Sequence, residues 1–492
     1  MRALLVYPQH ADTFWSMKHA LNFSLFKRSN QPPLGLLTVA SMLPPEWEKR
    51  LIDMNLSPLK EKDLQWADLV LLSAMSEQRG SVGSVIARCR DAGVKVVAGG
   101  PLFTSSSDDF DHVDHLVLNE AEVTLPGFLN DLRDGTARHI YRSDQRAEVR
   151  KTPIPLWDLI NVNRYASMSL QYSRGCPFDC EFCDISVLYG NRLRTKGAAQ
   201  VIAELDAIHA LGWRGAVFFV DDNFIGNRGK LKKDILPAVT AWGRERRWPF
   251  DFTTQASVNL SDDETLMRMM RDAKFHNVFV GIETPNEDSL AECDKRANTS
   301  RDLVSCVKKI QGYGLQVQAG FIVGFDNDPP SIFERQISFI QDSGIVVAMV
   351  GLLSAIKGTR LYRRLEQEKR LLSRSSGDNT DCSTNFVPKM QLATLIEGYR
   401  SIVGTIYAPK QYYTRIEKFL MDFRPSTGRF RFSLSDTIAF LRSIFVLGIV
   451  EKGRVYYWRL FFGTLLRRPR LFPTAIALAI YGFHFRKVFN VV

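Results

Sequence analysis

Cys176-Pro177-Phe178-Asp179-Cys180-Glu181-Phe182-Cys183 gathers three of the seven cysteines of this 492-residue chain into one short stretch. Thiolates packed this closely hold iron–sulfur clusters or zinc. Structural zinc usually takes four protein ligands as two close pairs, and no second pair of Cys or His follows downstream. Three thiolates on a cubane cluster leave one iron free to bind a small molecule. A zinc knuckle completed by a remote ligand is the other reading of the triplet.

The rest of the composition describes a globular protein. With 45% hydrophobic residues the chain can bury the cores of two or three domains. The net charge of +11 raises the question of nucleic acid, but no long Lys/Arg run occurs in the first 350 residues and much of the excess lies late. Nucleic acid is therefore not an expected partner. An odd cysteine count with three committed to a cluster argues for a reducing compartment, so the cytoplasm is the expected location. Met1-Arg2 runs into a short apolar segment, 3–7, that reads as a first strand rather than a signal peptide.

Between residues 1 and 150, apolar runs at 3–7, 34–43, 51–52, 69–72, 82–89 and 94–98 alternate with helical patterns. That alternation predicts a doubly wound parallel α/β sheet with a ligand crevice at the strand carboxyl ends. Gly99-Gly100-Pro101 and Asn119-Glu120-Ala121-Glu122 stand at such ends. From about 165 to 370 a second βα series follows, with strands at 168–172, 216–220, 252–256, 278–282, 318–323 and 346–353, and a helix at 198–211. Six strands predict a partial (β/α)6 barrel with its chemistry at the carboxyl ends. The segment 371–492 opens with a polar linker at 371–381 and reads as mainly helical, with room to lid the barrel mouth.

The Cys-x3-Cys-x2-Cys spacing, together with the barrel pattern, resembles the radical S-adenosylmethionine enzymes across residues 165–370. The resemblance implies that Cys176, Cys180 and Cys183 ligate a four-iron four-sulfur cluster whose free iron chelates S-adenosylmethionine. It also implies a pocket in which Phe182 shapes the adenine site and Asp221, Asp222 and Asn223 meet the methionine ammonium, acceptors being suited to that group. Gln255, Ser257 and Glu283 become candidates for the ribose hydroxyls or the methionine end, and Gly320 and Gly324 for close backbone approach to adenine. Arg192, Arg194 and Lys196 put three cations beside a site expected to hold a carboxylate.

The N-terminal third resembles the cobalamin-binding domain that precedes many such barrels, in Pro32-Pro33-Leu34-Gly35-Leu36, Gly99-Gly100-Pro101 and Glu120-Ala121-Glu122. Gly99, Gly100 and Glu120 are then cofactor-binding candidates. The pattern Asp-x-His-x-x-Gly is absent: the corresponding place reads Asp53-Met54-Asn55-Leu56-Ser57-Pro58. No imidazole from this loop is expected to ligate cobalt.

Beyond Phe423, Arg-rich turns (Arg424, Arg429, Arg431, Arg467, Arg468, Arg470) alternate with apolar helices, and 471–485 is almost wholly apolar. About 20 such residues are needed to span a bilayer, so this run is expected to lie at a membrane surface or to form a buried core helix. The whole layout resembles the cobalamin-binding radical S-adenosylmethionine family, including the hopanoid C-2 methylase group. That implies methylation of an unactivated carbon of a hydrophobic, hopanoid-type lipid substrate, with methylcobalamin as methyl donor and flavodoxin or ferredoxin as electron donor, peripheral to the inner membrane face. Radical rearrangement, cyclisation or oxidation without methyl transfer is one alternative, and a non-catalytic metal- or membrane-binding scaffold is the other.

Overall fold

The first sheet follows from runs that are apolar on both faces. In the computed structural model, which describes residues 1–378, 380–424 and 434–491, six parallel strands make it: β1 (Arg2–Tyr7), β2 (Glu48–Asp53), β3 (Leu69–Ser73), β4 (Lys95–Gly99), β5 (His115–Val117) and β6 (Ile140–Tyr141). Their order is β2-β1-β3-β4-β5-β6. Alternate side chains leave a strand on opposite faces. Ala3 and Leu5 therefore join Leu36, Leu71 and Phe128 in one core, and Leu4 and Val6 join Val70, Val82 and Phe103 in another. The apolar runs at 34–43 and 82–89 form helices, Leu34–Met42 and Arg79–Asp91, that cover these two faces. Both faces being covered is what an all-parallel sheet requires.

The second sheet holds β7 (Met168–Leu170), β10 (Gly215–Phe219), β11 (Phe250–Gln255), β12 (Phe275–Glu283), β13 (Gln316–Val323) and β14 (Ala348–Leu352). All are parallel and lie in chain order from β7 to β14, which is the partial barrel predicted. Between β7 and β10 a small antiparallel pair, β8 (Ser173–Arg174) and β9 (Arg194–Thr195), closes the base of the cysteine loop. At that base Gly175 has φ +91°, and a Cβ there would stand 2.9 Å from Gly190 O.

The tail is packed against the barrel. Arg415 is fully buried and donates to Ile406 O (2.9 Å), Gln341 Oε1 (2.6 Å) and Val346 O (3.3 Å), while Tyr407 Oη donates to Ala348 O at 2.6 Å. The apolar run at 471–485 lies in the helix Phe472–Val488, and of its two readings the buried one holds: Ile476 is 5% exposed and Ile480 9%. Its Phe485 ring stacks on Phe14 at 4.3 Å, and Gly482 abuts Tyr412 so closely that a Cβ would meet the ring at 2.2 Å. Among the described residues no helix is long and apolar enough to cross a membrane. Arg429, Arg431 and residue 379 of the linker lie outside the described residues.

Candidate functional site

The carboxyl ends of the two sheets open into one cavity of about 1590 Å³. A pocket for one drug-sized ligand occupies roughly 300–1,000 Å³, so there is space for more than one. The N-terminal sheet contributes Ser73, Gly99, Gly100 and Asn119; the barrel contributes Asp222, Gln255, Glu283 and Gly320; the cysteine loop contributes Phe182 and Cys183. Apolar side chains, among them Phe218, Phe279, Ile322 and Met349, line the wall between these polar groups. Residues 374, 375, 377 and 380, with Tyr481 and Phe485, reach the cavity from the C-terminal region.

The cysteine loop is clamped from outside. Arg364, on the helix Arg360–Gln367, holds the Glu181 carboxylate through two bonds of 2.7 and 3.1 Å, and Arg360 pairs with Asp179 at 3.3 Å. None of the three cysteines is in a disulfide. Burial raises the pKa of each, and the Lys295 ammonium opposes that rise at all three. Lys295 is itself fixed by Glu283 Oε1 at 2.6 Å. Gly281 lets this pair pass: a Cβ there would meet Glu283 Oε1 at 2.2 Å and Lys295 Nζ at 2.8 Å. A largely buried cation beside three thiols suits a cluster held by thiolates. Among the described residues no three Cys, His, Asp or Glu side chains converge tightly enough for a single ion. A cubane puts each thiolate on its own iron and asks for a wider triangle than the roughly 3.8 Å between sulfurs in tetrahedral zinc.

Of the polar candidates on the barrel, Asp222, Gln255 and Glu283 line the cavity and three others do not. Asp221 is fully buried; its carboxylate accepts the Tyr172 N–H at 3.1 Å and the N–H and hydroxyl of Ser173, and so fixes the turn into the cysteine loop. Burial lifts its pKa to about 7. Asn223 and Ser257 are bonded to each other, the Asn223 amide donating to Ser257 Oγ at 3.2 Å and its oxygen accepting Ser257 N–H at 3.3 Å. Asp222 faces the cavity with its pKa raised by burial to about 6, against the opposing bond from Gly175 N–H. Glu283 has φ +64° at a register shift between β12 and β13, and bulges of this kind re-aim a side chain beside functional sites. Gly320 lines the cavity, where a Cβ would press on Phe279 at 3.1 Å. Gly324 does not; it packs against Leu395, and its N–H donates to Asp328.

On the opposite wall a Cβ at Gly99 would meet Val117 O at 2.6 Å, and one at Gly100, with φ +90°, would meet Ser73 Oγ at 2.5 Å. Glu120 binds Arg174 at 2.7 Å and Arg194 at 2.8 Å, and Glu122 holds the other arm of Arg174 at 2.9 Å. The segment that follows β5 is thereby tied to the β8–β9 pair. Arg194 is occupied by Glu120 and Lys196 by Glu204, so these two predicted carboxylate-binding cations serve structural pairs. Sequence reasoning missed His10, which lines the cavity beside Asn55. A polar residue just past the first strand was its only signal.

A model of the radical S-adenosylmethionine superfamily matches residues 170–340, and a domain of unknown function, DUF4070, matches 359–492. An uncharacterised methyltransferase of Synechocystis sp. is 39% identical across 100% of this chain and 92% of its own length. This chain belongs to the radical S-adenosylmethionine superfamily. The enzyme is also 31% identical to the hopanoid C-2 methylase of Rhodopseudomonas palustris, over 95% of this chain and 90% of that protein. Its fold is that of the cobalamin-dependent S-adenosylmethionine radical enzyme OxsB, solved with aqua-cobalamin and S-adenosylmethionine bound. That match has a TM-score of 0.64 at 13% identity, covering 99% of this chain and 80% of that one. Membership of the superfamily gives the enzyme a four-iron four-sulfur cluster and S-adenosylmethionine as cofactors.

Proposed function

We propose that the enzyme methylates an unactivated carbon of an apolar, hopanoid-type lipid and uses cobalamin as a further cofactor. The observation that carries this reading is the shared cavity, with the cysteine loop and barrel ends on one side, the ends of a doubly wound sheet on the other, and an apolar wall between. When bound, the cluster and S-adenosylmethionine supply a carbon radical that removes a hydrogen atom, and cobalamin supplies the methyl group. Cys176, Cys180 and Cys183 hold the cluster, Phe182 and Gly320 border adenine, and Gln255 and Glu283 meet the ribose or the methionine end. Gly99 and Gly100 bring bare backbone to the corrinoid edge, and Glu120 acts by holding Arg174 and Arg194. In this assignment residues 1–150 serve the corrinoid, 165–370 the radical chemistry, and 371–492 cover the cavity and approach lipid.

Asp222 is the acceptor we assign to the methionine ammonium. Burial raises the pKa of its carboxyl to about 6, so the attraction is complete well above that pH and fades below it. Affinity for S-adenosylmethionine, measured by equilibrium dialysis of reconstituted enzyme, is expected to be level near pH 8. It should fall about tenfold per pH unit once the carboxyl is protonated. Asp222→Asn should flatten that limb, and an unchanged pH profile in the variant would remove Asp222 from the site.

The reaction class is tested by product analysis with anaerobically reconstituted enzyme, cobalamin, a flavodoxin- or ferredoxin-type donor, and lipid from a host lacking the gene. Methyl transfer gives equal amounts of 5′-deoxyadenosine, S-adenosylhomocysteine and methylated lipid. Deoxyadenosine with no S-adenosylhomocysteine would overturn methylation in favour of rearrangement, cyclisation or oxidation.

A membrane surface is the partner we propose for the tail, through different residues from the apolar run at 471–485. Leu434, Leu441, Phe445 and Ile449 are exposed at helical spacing, as are Val455, Phe462 and Leu466, the last 80% exposed. Between residues 434 and 491 nine Lys and Arg oppose only Asp436 and Glu451. Apolar stripes among cations suit an anionic lipid surface.

A further inference from the structure

The loop after β1 carries a histidine held as metal-ligating histidines are held. His10 Nδ1 lies 3.0 Å from Glu77 Oε1, and its ring meets Tyr7 edge-on at 5.3 Å. Nε2 has no hydrogen-bond partner among the described residues. A histidine that binds metal through one nitrogen almost always donates the other N–H to a carboxylate or carbonyl, which fixes the tautomer and strengthens the donor. In the neutral tautomer that donates Nδ1–H to Glu77, Nε2 keeps its lone pair.

The backbone around His10 is braced from several directions. His10 N–H donates to Asn55 Oδ1 at 2.8 Å. Asn55 is fixed in turn by Asp53 Oδ1, which accepts its N–H at 2.9 Å and its amide at 2.8 Å, and Asp53 accepts the Tyr165 hydroxyl at 3.0 Å. Gln78, wholly buried, donates to Pro8 O at 2.6 Å. The loop of 53–58 has no imidazole of its own, yet its Asn55 anchors the one that stands beside it. Among the described residues His10 is the only histidine lining the cavity.

Resting on the reading that cobalamin occupies the N-terminal side of the cavity, we propose that His10 Nε2 is the lower axial ligand of its cobalt, with Glu77 as the carboxylate behind it. The enzyme is loaded with cobalamin, its corrinoid content is measured by absorbance, and the cobalt is reduced to the cob(II)alamin state for electron paramagnetic resonance. An axial nitrogen splits each cobalt line into three. In protein grown with histidine enriched in the heavy nitrogen isotope, the three lines should become two. That change separates a protein imidazole from the base of cobalamin itself, and it needs no variant. His10→Gln keeps a side-chain donor toward Glu77 and should retain corrinoid while losing the splitting.

Unsplit lines in the wild type would overturn the assignment. So would three lines unaffected by labelling, or splitting that persists in His10→Gln. In each of those cases bound corrinoid leaves the cofactor reading standing. Protein that takes up no corrinoid would overturn that reading and the ligand assignment together.

Discussion

Cys176→Ala, Cys180→Ala and Cys183→Ala are each expected to reduce formation of 5′-deoxyadenosine to background, with iron content falling in parallel. Cys293→Ala and Cys306→Ala should keep most activity. A cubane held by three thiolates has no spare protein ligand, and alanine offers no donor. Serine should fail as well, since its harder oxygen is a poor substitute for thiolate. Cys293 is the instructive control because it is more deeply buried than Cys180, and its carbonyl accepts Glu181 N–H at 3.0 Å from the same loop. That bond is made by backbone and survives in alanine. Removing the sulfur should cost on the order of 1 kcal/mol as a small cavity. Full activity with normal iron in any of the first three variants would refute the cluster assignment.

Periodicity made the architecture legible. Runs such as 3–7 and 69–72 are apolar at every position, as strands covered on both faces must be, and glycine or acidic residues mark where other strands stop, as at Asp53 and Gly99. What periodicity does not resolve is which of two adjacent residues faces the ligand. Asp221 and Asp222 look equivalent in sequence. The side-chain alternation beyond β10 sends one onto the Tyr172–Ser173 backbone and the other into the cavity. The same limit applies to Asn223 and Ser257, whose mutual bond spans two strand ends.

Charge pairs were harder still. Glu120 and Glu122 read as acidic groups at a strand end, where a ligand is a reasonable partner. Their actual partners, Arg174 and Arg194, lie far along the chain and come from the β8–β9 pair. Breaking such a cluster leaves buried carboxylates uncompensated, so its role in joining the sheets to each other is enough to account for it. His10 belongs to the same class of omission: its meaning depends on Glu77 and Asn55, which only the folded sheet brings alongside.

The tail yields the second large effect, a contrast between two sets of aspartates. Ile476→Asp is expected to destabilise the enzyme by about 4 kcal/mol or more, since it removes a buried aliphatic chain and strands a carboxylate in the Phe472–Val488 core. That is a large fraction of a typical stability of about 5–15 kcal/mol. Phe462→Asp and Leu466→Asp sit on exposed positions and should lower the stability read from urea unfolding by only about 1 kcal/mol or less, the larger loss being at Phe462, whose ring stacks on Trp458. In sedimentation with anionic vesicles the order should reverse: the two surface variants fold but pellet poorly at every salt concentration. Arg454, Arg467 and Arg470 replaced by Gln should lower binding by about 1 kcal/mol per charge and flatten its salt dependence. Arg468 is left in place because it caps the carbonyls of Leu420, Met421 and Phe423. Its loss would confound folding with lipid contact. Wild-type enzyme that remains in the supernatant with anionic vesicles at low salt would eliminate the membrane surface as a partner, while the forecast for Ile476→Asp, which depends on burial alone, would stand.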